Sequence, residues 1–238
     1  DTTPPAFTSV SPSTNSIVKT TAVGYTLSEA IASGSVVWTR TGGTADGNSP
    51  HTAALAGTEL NTGQRASAVL TNAPTLVSGT IYTIAFNGTD AGGNAATEVS
   101  VTGITFDTTA PTIIASTTIA SDNSTATVTF SEAVFDTNGG SGALEATDFT
   151  LSISGGVATL GAATPTSISI SGNAYTLGFN LSGTPTGAET LRIVPSSATA
   201  IYDAAGNAAS TSQSNNTITL NDQLSPTVSG TTVASDNT

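Results

Sequence analysis

Residues 81–111 read IYTIAFNGTDAGGNAATEVSVTGITFDTTAP, and this stretch decides the architecture. Two candidate strands, 81–87 and 98–106, flank Asp90-Ala91-Gly92-Gly93-Asn94-Ala95, whose Asp, Gly and Asn favour turns. A polar linker, Asp107-Thr108-Thr109-Ala110-Pro111, follows at once. The stretch is therefore a hairpin closed by a short connection, and its parts recur elsewhere in the same order.

The turn returns as Asp203-Ala204-Ala205-Gly206-Asn207-Ala208. The linker returns as Asp1-Thr2-Thr3-Pro4-Pro5 and, more loosely, as Asp222-Gln223-Leu224-Ser225-Pro226. Thr26-Leu27-Ser28-Glu29-Ala30 is answered by Thr129-Phe130-Ser131-Glu132-Ala133. Thr117-Thr118-Ile119-Ala120-Ser121-Asp122-Asn123 is copied by Thr231-Thr232-Val233-Ala234-Ser235-Asp236-Asn237. Heads at positions 1, 107 and 222 are 106 and 115 residues apart, about the length of one immunoglobulin-type sandwich. The expected division is repeat 1 at 1–106, repeat 2 at 107–221 and, at 222–238, the start of a third repeat in an array of which this is an internal piece.

The strand candidates are 7–10, 22–28, 34–41, 66–71, 81–87 and 98–106 in the first repeat. In the second they are 112–119, 125–130, 149–154, 168–170, 174–181, 189–194 and 217–220. Short strands parted by Gly, Asn and Pro, with no helical period, predict an all-β fold: tandem immunoglobulin-like β-sandwiches in an elongated rod. Trp38, in the alternating segment Val36-Val37-Trp38-Thr39-Arg40, is expected to fill the centre of the first sandwich.

Composition narrows the function. Sixteen carboxylates against four Lys and Arg give a net charge of −12, so phosphate-rich partners lack the cations they require. Nucleic acid and membrane insertion are accordingly not expected, and a cation is the better partner. The absence of Cys removes disulfides and thiolate metal sites.

The heads and turns resemble those of bacterial immunoglobulin-like repeats from large surface adhesins and secreted repeat proteins, where a linker of the type Asp-Thr-Thr-Ala-Pro follows a loop of the type Asp-Ala-Ala-Gly-Asn. The resemblance implies an extracellular, secreted or cell-surface location. It also implies calcium at domain junctions, which stiffens the array in some members of that family.

The residues give a separate reason to expect Ca²⁺. In an immunoglobulin-like topology the entering chain, the loop after the second strand and the loop before the last strand share one pole. Asp1, Glu29 and Asp90 should meet there in repeat 1, and Asp107, Glu132 and Asp203 in repeat 2. Carboxylates about 4 Å apart repel by roughly 4 kcal/mol at an effective dielectric near 20, and a calcium ion relieves this. Ca²⁺ takes six to eight oxygens, which Asn94, Asn207 and loop carbonyls would help to supply. Asp122 is expected at the opposite pole, beside Asp222 and the next junction. Asp46, Asp136, Glu145 and Asp148 read as solvated loop or capping residues.

Catalysis finds little support, and no enzyme is expected. The lone histidine, His51, follows the polar run Asp46-Gly47-Asn48-Ser49-Pro50 and has no counterpart in repeat 2. One His and no Cys cannot make the usual zinc centre. Lys19 is the only lysine, so an isopeptide crosslink in each repeat is excluded. Sequons at Asn87, Asn123, Asn180 and Asn215 permit glycosylation without indicating it.

The expected role is thus a spacer, stalk or filament segment of a large surface adhesin, rigidified by calcium. Its partners are neighbouring repeats, and other chains in a filament or a cell-surface ligand. The competing expectation is an adhesive module that recognises a glycan or protein through the loop 41–65 of repeat 1, which carries His51 and Arg65.

Overall fold

The computed structural model describes residues 1–114 and 117–230. The chain divides into two compact units, the first comprising Asp1–Ala110, Thr137–Gly142 and Tyr202–Ala208, and the second comprising Pro111–Asp136, Ala143–Ile201 and Ala209–Thr238. The expected copy of 117–123 at 231–237 lies outside the described residues, and the candidate strand 112–119 includes two that are also outside them.

The first unit holds β1 (Phe7–Ser11), β2 (Ile17–Val18), β3 (Val23–Leu27), β4 (Ser33–Gly43), β5 (His51–Ala54), β6 (Gly63–Ala68), β7 (Thr80–Thr89) and β8 (Val99–Phe106). They form two sheets, in the orders β1-β3-β6 and β2-β8-β7-β4-β5. All pairs are antiparallel except β2 with β8, so the first strand region serves both sheets: β1 pairs with β3 and β2 lies parallel to β8. This is an immunoglobulin-like sandwich.

Alternation makes its core. Thr80, Tyr82, Ile84 and Phe86 of β7 are buried while the residues between them are half-exposed, as the two-residue strand period requires. Val23, Tyr25 and Leu27 of β3 and Val36 and Trp38 of β4 join them. Phe7 meets Tyr25 edge-on at 5.4 Å, and Trp38 meets Tyr82 edge-on at 5.9 Å. Trp38 is fully buried, as expected.

The second unit holds β9 (Thr118–Ile119), β10 (Thr125–Thr129), β11 (Phe149–Ser154), β12 (Thr159–Leu160), β13 (Ser167–Ser171), β14 (Ala174–Gly178), β15 (Leu181–Ser182), β16 (Thr190–Pro195) and β17 (Thr217–Thr219). Its sheets run β13-β14-β10-β9 and β11-β16-β17, with a small β12-β15 pair. Phe130, Phe149, Tyr175, Leu177 and Ile193 lie at the centre of its own core. Phe130 and Tyr175 pack edge-on at 5.7 Å.

Two sequence readings need correction. The candidate strand 66–71 is instead β6 at Gly63–Ala68, because Tyr25 pairs with Arg65 and Leu27 with Gly63. The segment 41–65 is not a plain polar loop. It contains the end of β4, all of β5 and a 3-10 turn at Gly57–Leu60. β5 exists because Val36 and Trp38 pair with Ala53 and His51, a contact that a four-residue stretch cannot announce by periodicity.

Candidate metal centre

At one pole of the first unit, two short exchanges hold the entering chain against the end of β3. Ala6 N donates to Ser28 Oγ at 2.9 Å, and Ser28 N donates to Ala6 O at 3.1 Å. Glu29 is the next residue. Asp1 stands just before the tie and accepts from Thr3 N through Oδ1 at 2.8 Å, an Asx turn that fixes its carboxylate. β7 ends at Thr89, and the turn after it begins with the buried Asp90.

That turn is braced from within. Asn94 N donates to Asp90 Oδ1 at 2.8 Å and Asn94 Nδ2 to Asp90 Oδ2 at 2.8 Å, while the same amide reaches Asp1 O at 3.2 Å. Gly93 adopts a positive φ of 87°, which closes the turn and suits glycine. The Asn94 side-chain amide, with main-chain N–H groups of the turn, holds the Asp90 carboxyl below the usual carboxylate range, although burial acts in the other direction.

The result is that Asp1, Glu29 and Asp90 each offer a carboxylate oxygen within 4.8 Å of the others. Asp107, Glu132 and Asp203 meet the same condition. The supporting bonds recur too. Thr112 N donates to Ser131 Oγ at 3.1 Å, Ser131 N to Thr112 O at 2.8 Å, and Thr109 N to Asp107 Oδ1 at 2.9 Å. Asn207 braces Asp203 with bonds of 2.7 and 2.8 Å and donates to Asp107 O at 3.0 Å. Gly206 carries the matching positive φ of 85°.

Such sets present hard oxygen donors only, which suit Ca²⁺ and not a thiophilic or imidazole-seeking metal. The three arginines are directed elsewhere: Arg40 donates to Thr44 O and Gly43 O, Arg65 to Asn61 O and Arg192 to Thr211 O. Lys19 donates to Gly206 O, a main-chain carbonyl of the turn that carries Asp203. Asn94 and Asn207 turn their amide nitrogens to the acids, which leaves Oδ1 as the atom either could offer to an ion. Their observed work is to aim the aspartates.

Asp122 and Asp222 belong to neither set. Asp122 is exposed, accepts from Ser124 N at 3.0 Å and Ser124 Oγ at 2.7 Å, and is held below its ordinary pKa chiefly by that hydroxyl. Asp222 repeats the Asx turn of the other heads, with Leu224 N at 2.8 Å from its Oδ1.

Sequence reasoning took the glutamates of the two Ser-Glu pairs and passed over Ser28 and Ser131, although both stand in the quoted repeat. It also missed Glu189, which is fully buried in the second unit. Glu189 accepts from Val157 N, Ala158 N and Thr186 N at 2.8, 3.0 and 2.9 Å, and these main-chain donors lower its pKa to about 2. No periodic signal marks a glutamate that joins the local amide of Thr186 to the distant amides of Val157 and Ala158.

The family model described as bacterial Ig-like domain matches residues 1–108. Over these residues the chain is similar to bacterial Ig-like domains. Bacterial Ig-like domains act as structural or surface domains, are generally non-enzymatic and are typically extracellular or surface-associated. No curated protein matches the chain. Among solved structures, dimeric latent PorU from Porphyromonas gingivalis aligns at 15% identity and a TM-score of 0.26, over 94% of this chain and 24% of that one. No helix among the described residues is long and apolar enough to cross a membrane.

Proposed function

We propose that this chain is a spacer segment of a bacterial surface or secreted adhesin, in which Ca²⁺ held by the Asp–Glu–Asp sets stiffens the junctions between bacterial Ig-like domains. The observation that supports it is the convergence of Asp1, Glu29 and Asp90, residues far apart in sequence, within 4.8 Å of one another. Mutual repulsion disfavours such a set unless a cation is bound. Because one acid of each set lies in a linker, an ion bound there fixes the entering chain to the pole of the sandwich.

The alternative, recognition of a glycan or protein through 41–65, has less in its favour. His51 is only 13% exposed in its side chain, and Arg40 and Arg65 are committed to main-chain carbonyls. Those groups serve the sandwich itself.

Thermal unfolding and small-angle scattering in EDTA and then in about 5 mM Ca²⁺ test the proposal. Extracellular calcium modules bind at about 0.1–1 mM, so each site should add roughly 1–2.5 kcal/mol. The particle should also become longer and stiffer. Both effects should vanish in the double variant D107N/D203N at its junction. An unchanged melting temperature and scattering profile in the unmodified chain would overturn the calcium reading.

A further inference from the structure

Asparagine and aspartate are chemically most labile where glycine follows, because a glycine N–H reaches the side-chain carbonyl with no Cβ in its way. Three such steps occur in this chain: Asp46-Gly47, Asn87-Gly88 and Asn138-Gly139. The fold treats them differently.

Asp46, read from the sequence as solvated, is buried, with only 1% of its side chain exposed. Tyr82 Oη donates to its Oδ2 at 2.6 Å, His51 Nε2 bonds the same oxygen at 2.6 Å, and Asn48 N donates to Oδ1 at 3.1 Å. The Tyr82 and His51 bonds, in that order, hold its pKa at about 2, so the carboxylate is ionised and offers no leaving group. Asn87-Gly88 lies inside β7, where Asn87 pairs with Ser35 and Gly88 with Gly34 of β4. Gly88 O accepts from Ala96 N at 2.8 Å, and a Cβ on Gly88 would stand 3.2 Å from the Phe7 ring. Turning that peptide toward the Asn87 side chain would break the ladder.

Asn138-Gly139 stands in the open. Asn138, Gly139 and Gly140 form the tip of a turn whose bonds run between its ends: Thr137 N donates to Ser141 O at 3.2 Å, and the two hydroxyls meet at 2.7 Å. Asn138 and Gly139 are both exposed. Among the described residues, neither the Gly139 N–H nor the Asn138 carboxamide has a hydrogen-bond partner. Gly139 has a φ of 109°, and nothing lies within 4 Å of the place where a Cβ would stand.

We propose that Asn138-Gly139 is a self-modification site, at which the folded chain converts asparagine to aspartate and isoaspartate ahead of the other two steps. Gly139 N attacks Asn138 Cγ, the Cγ–Nδ2 bond breaks, and ammonia leaves with the proton given up by Gly139 N, which closes a cyclic imide. Water then adds to either imide carbonyl. Opening at one leaves an ordinary aspartate, and opening at the other routes the main chain through the side-chain carboxyl carbon as isoaspartate. Both products add a negative charge to a chain already at −12. The charge falls close to the turn that carries Asp203, because Asn138 Oδ1 occupies the place where a Cβ on Gly206 would project. The reaction needs neither calcium nor the spacer role.

Incubating the folded chain with EDTA in warm, mildly alkaline buffer, then mapping its peptides by mass spectrometry, tests this. Asn138 should show the mass gain of amide-to-acid exchange in both linkages, and should convert at least about tenfold faster than Asn87, whose reaction waits on local opening. Asp46 should yield no isoaspartate. N138Q should remove the product at that position together with the matching acidic shift on anion exchange. In denaturant the two asparagines should convert at similar rates, which assigns the difference to the fold. Equal rates at Asn138 and Asn87 in the folded chain, isoaspartate at Asp46 as early as at Asn138, or an intact Asn138 while the denatured chain reacts would overturn the proposal.

Discussion

Two buried side chains show what single residues do in this protein. Trp38 on β4 is fully buried in the first core and meets Tyr82 edge-on, so Trp38→Ala should lower the stability of that unit by about 3–5 kcal/mol and leave the other unit's transition in place. Calorimetry resolves this, because the variant moves one transition only. Glu189 acts through charge. Its pKa falls from an ordinary 4.5 to about 2 on folding, so its contribution is present above the unfolded value and lost as pH drops through the folded one. Unfolding of the second unit followed from pH 5 to pH 2 should therefore steepen with acid, and E189Q should remove that component. Equal acid sensitivity in both proteins would show that other carboxylates dominate. Gly156 lies so close that an added Cβ would stand 2.1 Å from Glu189 Oε1, so Gly156→Ala should disrupt the same hub.

At the scale of elements, the linker is part of the sandwich pole and not a loose tether. The reciprocal bonds between Ala6 and Ser28, repeated between Thr112 and Ser131, register the incoming strand against the end of the second strand and so place each head aspartate near its glutamate. Ser28→Ala removes one bond of the first tie and should cost about 0.5–1.5 kcal/mol, with a loss of calcium affinity at Asp1, Glu29 and Asp90 but not at the second set. Isothermal titration of the variant beside the unmodified chain distinguishes the two sets. Asn94→Ala should weaken the same site more strongly, because it releases Asp90 Oδ2 and unties Asp1 O, leaving only the main-chain bond to Asp90 Oδ1.

For the molecule as a whole, the charge balance is the governing quantity. With a net charge of −12 and every cation directed to a carbonyl, the folded chain carries like-charge strain that ions relieve. In EDTA, raising sodium chloride from about 20 mM to 0.5 M should raise the melting temperature, because the Debye length shrinks from about 20 Å to about 4 Å. With calcium saturating the sites, the same salt change should have a smaller effect. A larger salt effect in calcium would argue that the sets do not hold the ion.

The sequence by itself determined the all-β architecture, the repeat period and the identity of the six acids. Alternation such as that of β7 and the recurring Asp-Ala-Gly-Gly-Asn turn are local signals, set by the two-residue period of a strand and by the backbone needs of a tight turn. Only tertiary structure decided that 41–65 contributes a strand, that Asp46 is buried beneath His51 and Tyr82, and that Glu189 gathers three amides. Those outcomes depend on partners tens of residues away, because a short polar stretch has no preference of its own until a neighbouring sheet supplies donors and removes water.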